Sequence, residues 1–194
     1  MGTVKAVVHL ESTTPYSQSR YIMATKPAKM KHDEWEEQSW RQRGWEITTG
    51  PDKGKMYIPA QQFKNALIEA AKYLGMKVKG KGQATYTKHF TSGILIENDM
   101  ILPVKLADCE ADTVMVSADG KPGGAKKVMK HFPIVQQWEG ALTFIVIDET
   151  IDREVFEQHM IHAGALVGVG RWRRSKNGRY GAFRIVKIDW QVMS

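Results

Sequence analysis

Residues 167–182 constrain this chain more than any other stretch: four glycines, five cations and two aromatic rings follow a helical pattern and precede a β-like run. Gly168, Gly170, Gly178 and Gly181 permit tight turns, positive φ and close approach of the backbone to a ligand. Between them sit Arg171, Arg173, Arg174, Lys176 and Arg179, with Trp172 and Tyr180 as stacking surfaces. Residues 168–187 hold seven basic side chains and no acid, which equals the net charge of +7 of the 194-residue chain. Positive charge concentrated on a glycine-rich, aromatic loop fits contact with a sugar-phosphate backbone.

Two further stretches are purely basic. Residues 72–88 carry Lys72, Lys77, Lys79, Lys81 and Lys88, and residues 121–131 carry Lys121, Lys126, Lys127 and Lys130. Such separation of sign predicts a polyanion-binding face and an acidic remainder. A 42% hydrophobic content supports one core, so a single domain over 1–194 is expected. No apolar run approaches the ~20 residues needed to cross a bilayer, and the N-terminus becomes charged too early for a secretory signal. One cysteine, Cys109, excludes an internal disulfide and suits a reducing cytoplasm. Neither a membrane partner nor a cofactor is expected.

Taken in order, residues 3–11 alternate as a first strand, with His9 on the sheet surface. Residues 12–57 read as an inserted finger or thumb. Within it, a short helix is predicted from Asp33, with Glu36 as capping-box partner and a stop at Gly44. Trp35, Trp40 and Trp45 are five apart and cannot share one helical stripe, so at least one packs on a neighbouring element or another subunit. Pro59 opens the clearest helix, which carries Phe63, Leu67, Ala70 and Leu74 inward and ends at Gly75. Ile94–Ile96 and residues 100–102 read as a hairpin. A second hairpin joins residues 113–117 to 128–135 through the turn at 119–124. Residues 142–147 form the expected central strand. Thr150 or Asp152 caps another helix, in which His159 and His162 lack the spacing of a zinc motif. The final strand changes phase after Ile185, which predicts a bulge.

The reduced pattern predicts an α+β protein: a ferredoxin-like, RRM-like βαββαβ core with an inserted finger (about 12–57) and β-hairpin insertions. That plan commonly offers an open sheet face to single-stranded nucleic acid.

Ile58–Pro59–Ala60–Gln61–Gln62–Phe63–Lys64–Asn65–Ala66–Leu67 resembles the "Ile-Pro, small residues, Leu-Lys-Gly-x-Leu-Arg" helix start of the RAMP superfamily of CRISPR-associated proteins. Residues 168–171 and 178–183 are similar to that superfamily's glycine-rich loop, and they occupy the matching place between the last helix and the last strand. Gln61 and Gln62 depart from its small residues, and Asn65 and Ala182 stand where glycine is common.

The resemblance implies a non-catalytic subunit that binds single-stranded RNA. It would polymerise head to tail with copies of itself along a guide, beside other effector subunits. Arg171, Arg173, Arg174, Lys176 and Arg179 would neutralise phosphates, Trp172 and Tyr180 would stack, and Lys64 and Lys72 would extend the track. Two alternatives stay open. One is a metal-independent endoribonuclease recruiting His9, His32, His89 or Tyr16, and the other a phage-type binder of single-stranded DNA or RNA. No metal site is expected.

Overall fold

Alternation in the first strand, β1 (Val4–Ser12), sends Ala6, Val8 and Leu10 into the core and leaves His9 exposed. The computed structural model describes residues 2–118, 123–124 and 126–193. After β1 come β2 (Tyr16–Ser17), α1 (His32–Ser39), β3 (Lys55–Ile58) and α2 (Ala60–Leu74). Next are α3 (Thr87–Ser92), β4 (Ile94–Ile96), β5 (Met100–Lys105), β6 (Glu110–Ser117) and β7 (Lys127–Val135). The chain closes with β8 (Glu139–Val146), α4 (Arg153–His162) and β9 (Phe183–Val192).

The main sheet is antiparallel in the order β4-β8-β1-β9. With α2 following β1 and α4 following β8, this is the βαββαβ plan, α+β in class. Both helices cover one face: Phe156 of α4 meets Phe144 of β8 at 5.3 Å between ring centroids, and Phe63 of α2 meets Phe183 of β9 at 5.7 Å. Gly75 ends α2 in the left-handed region at φ 58°, and Asp152 caps α4 by accepting from the Val155 N–H at 2.8 Å. The expected bulge is present: opposite β1 the register passes from Lys187 to Ile185 and leaves Val186 unpaired. Helix α4 runs into a π-type turn at Ala163–Val167, where Gly164 lies against Phe183.

Both histidines of α4 bond to the helix backbone. His159 and His162 each place Nδ1 on the carbonyl four residues back, at 2.6 and 2.8 Å. Burial holds His159, stacked on Phe90 at 4.3 Å, below its ordinary pKa.

Three sequence expectations are corrected. The first hairpin does not form, because β4 pairs with β8 while β5 pairs with β3. Its turn residues have partners elsewhere. Asn98 accepts from the Thr143 N–H (2.8 Å) and donates to the Ala141 carbonyl (3.0 Å), while Asp99 accepts from the Ala60 N–H (2.7 Å) at the start of α2. Glu36 does not box the start of α1. It is buried in a two-bond pair with Arg43 (2.6 and 2.9 Å) and accepts from the His131 N–H (2.8 Å), which fastens α1 to β7. The helix itself ends at Ser39, and a 3-10 turn (Trp40–Arg43) carries the chain on to Gly44.

The second hairpin does form, with β6 and β7 in register from Glu110↔Ile134 to Ser117↔Lys127. Of its expected turn, residues 119–122, Lys121 among them, lie outside the described residues. Of the three tryptophans, Trp40 is buried and Trp45 packs on Tyr57 of β3 at 5.9 Å.

Among the described residues, the sheet face opposite the helices carries no Phe, Tyr or Trp. Four of its charges are paired, Lys187 with Asp189 at 2.7 Å and Arg184 with Glu11, while Lys5 and Glu139 share the face outside those pairs. An RRM-type stacking platform on that face is therefore missing.

Candidate nucleic-acid interface

The glycine-rich loop folds back on its own chain. Gly170 (φ 81°) lies against Tyr16 and Ser17, Gly178 against the Trp172 backbone, and Gly168 against Gly181. The close approaches that these glycines permit are thus made within the protein. The Arg171 N–H donates to the Ser17 carbonyl (2.8 Å) and the Gly181 N–H to the Pro15 carbonyl (2.7 Å), so the loop is moored to the segment leaving β1.

This mooring creates an open groove of about 530 Å³. Gly168–Gly170, Arg171 and Arg173 form one wall, Gln62 and Asn65 at the start of α2 another, and residues 18–21 and Met23 with Trp45 the third. The helix-start motif and the glycine-rich loop, more than 100 residues apart in sequence, meet there.

Of the three arginines that line the groove, Arg171 and Arg173 are held by carboxylates. Arg171 pairs with Asp112, donates through Nε to Ser17 Oγ (3.0 Å) and lies 4.0 Å from the centre of the Phe132 ring. Burial pulls its pKa below the ordinary value, and Asp112 opposes that shift. Arg173 pairs with Glu69 of α2 at 3.2 Å. Carboxylates that fix a guanidinium also offset part of its charge, so these two arginines orient more than they attract.

Gln62 and Asn65 add donors. Gln62 Oε1 accepts from the Tyr16 hydroxyl (3.1 Å) and Asn65 Oδ1 from Gln61 Nε2 (2.8 Å). With both oxygens engaged, the amide NH₂ groups remain for an acceptor-rich ligand, and a phosphate offers only acceptors.

The other residues expected at the site lie outside the groove lining. Arg174, Lys176 and Arg179 are exposed on the same loop; Arg174 donates to the Ala165 carbonyl (2.6 Å) and Arg179 to the Tyr180 hydroxyl (3.2 Å). Trp172 is 46% exposed with φ 49°, a conformation rare for a bulky residue. Lys72 is exposed in the last turn of α2.

Two roles need revision. Tyr180 is 2% exposed, enclosed by Arg171, Arg179 and Trp172, so its ring supports the loop and has no free face for a base. The Lys64 ammonium donates to the Ile94 carbonyl (2.6 Å) and ties α2 to β4.

Sequence reasoning missed the third wall. Gln18, Arg20, Tyr21, Met23 and Trp45 have no motif or period that marks them. Gln62 and Asn65 carried a signal, since they stand where the RAMP pattern has small residues or glycine. Among the described residues, no group of three or more His, Cys, Asp or Glu is placed to hold a metal ion, and no helix is long and apolar enough to cross a membrane.

No protein-family model and no curated protein matches this sequence. Among solved structures, it is similar to a chain in the cryo-EM structure of the Type III-B Cmr-beta bound to cognate target RNA. The TM-score is 0.54 at 16% identity, over 98% of this chain and 61% of that one. The likeness is one of fold, and this chain spans about three fifths of its neighbour's length.

Proposed function

We propose that the chain is a non-catalytic, single-stranded RNA-binding subunit of the CRISPR effector-backbone type, assembling head to tail along its RNA and beside other effector subunits. One observation carries this reading: the start of α2 and the glycine-rich loop converge on one open groove lined by arginines and amide donors. The fold shared with a chain of an RNA-bound Cmr assembly supports it. Trp172, Arg174, Lys176 and Arg179, exposed on the loop that forms one wall of the groove, serve on this reading as outer contacts. On this reading residues 12–57 are the finger that reaches towards the next subunit.

None of His9, His32, His89 and Tyr16, the side chains that cleavage would recruit, lines the groove. Labelled RNA hairpins incubated with the protein in EDTA are expected to stay intact; discrete products would overturn the non-catalytic assignment.

Replacing Arg174, Lys176 and Arg179 together with alanine tests the binding role. These side chains are exposed, so the fold should persist. The log–log salt slope for single-stranded RNA should shrink by about 2, at ~0.7 per phosphate contact. An unchanged slope would remove the loop from the interface. Competition with DNA of the same sequence reports whether a 2′-hydroxyl is read.

A further inference from the structure

Two tryptophans ahead of β3 each carry a guanidinium over the indole: Arg20 lies 4.6 Å from the Trp45 ring centre and Arg41 4.3 Å from that of Trp40. Neither arginine has a carboxylate partner among the described residues, in contrast to Arg171 and Arg173. Both are exposed. Uncompensated positive charge near the groove therefore sits on the 12–57 segment as well as on Arg174, Lys176 and Arg179 of the glycine-rich loop.

Arg20, Tyr21 and Met23 form a wall with a groove on each side. One is the groove described above. The other, about 440 Å³, is completed by Arg41, Gln42, Glu46 and Thr48. Tyr21 and Met23 are 80% and 79% exposed at the top of that wall, far beyond what packing of a Tyr and a Met explains.

We infer that the second groove takes the continuation of the same single strand, an assignment that rests on the RNA-binding reading. A strand leaving the Arg171–Arg173 groove crosses the wall between Tyr21 and Met23. It then meets Arg20 and Arg41, whose guanidinium planes are fixed by the indoles beneath and present N–H donors at the rim. A stacked guanidinium can receive a base on its free face and a phosphate at its edge. Glu46 is the one carboxylate lining this second groove, and it opposes a passing phosphate.

Fluorescence anisotropy with single-stranded RNAs of increasing length tests this, using the full chain and its Arg41→Ala and Glu46→Gln variants. For the native protein, affinity should climb with length and level off once both grooves are filled. Arg41→Ala should level off at a shorter length, bind the longest RNA on the order of tenfold more weakly, and lose about 0.7 from the salt slope. Glu46→Gln should bind long RNAs more tightly and short ones as before, an effect that a purely structural residue would not produce. Equal plateau lengths and slopes for the native protein and Arg41→Ala would overturn the second groove while leaving the first intact. Failure of the native protein to bind any single strand would overturn both.

Discussion

Trp172 carries the sharpest residue-scale argument. A bulky side chain at φ 49° costs about 1–2 kcal/mol relative to ordinary backbone, yet the ring stays 46% exposed, with its covered part packed edge-on to Tyr180 at 6.1 Å between ring centroids. The conformation is imposed by the fold-back at Gly178 and by the Tyr180 N–H bonding to the Trp172 carbonyl at 3.2 Å. Trp172→Gly should therefore leave chemical-denaturation stability within about 1 kcal/mol, since relief of strain offsets both the added backbone entropy of glycine and the lost contact with Tyr180. RNA affinity should fall on the order of tenfold. A variant that lost stability and kept its affinity would make the ring a packing residue. The glycine pattern around Trp172 was legible because turn chemistry is local. That Arg171 and Arg173 are paired with carboxylates was not, because Asp112 and Glu69 reach them from 59 and 104 residues away.

At the scale of elements, α1 is held by the buried Glu36–Arg43 pair. Burial raises the Glu36 pKa, but hydrogen bonds from Arg43 and the His131 N–H, with the charges of Arg43 and Lys130, bring it below its ordinary 4.5. A carboxylate with a lowered folded pKa contributes stability above pH 4.5 that is lost as pH falls through the folded value. Arg43→Ala leaves that carboxylate uncompensated and should cost about 3–5 kcal/mol near neutral pH. The deficit should narrow in acid as Glu36 takes up a proton, which urea titrations at several pH values would show. A deficit independent of pH would locate the effect in lost packing instead. The two long helices, the central strand and the β9 bulge were readable from period and caps, which depend on neighbours a few residues apart. The false hairpin at 94–102 was not, because Asn98 and Asp99 look like turn residues and only tertiary structure supplies their partners on β8 and α2.

For the whole molecule, charge and fold point to different surfaces. The open sheet face, which an RRM-like plan offers to single strands, carries no aromatic ring among the described residues and has four of its charges tied up in the Lys187–Asp189 and Arg184–Glu11 pairs. The groove on the helix side gathers the α2 start, the glycine-rich loop and the Arg20–Trp45 wall. The lysines of residues 72–88 lie outside that groove and can supply only long-range attraction to it. The location of bound RNA decides between these surfaces. A cryo-EM reconstruction of the protein with single-stranded RNA should show the phosphate chain in the groove between α2 and residues 168–173. Density lying on the open face of the β4-β8-β1-β9 sheet, with that groove empty, would contradict the assignment.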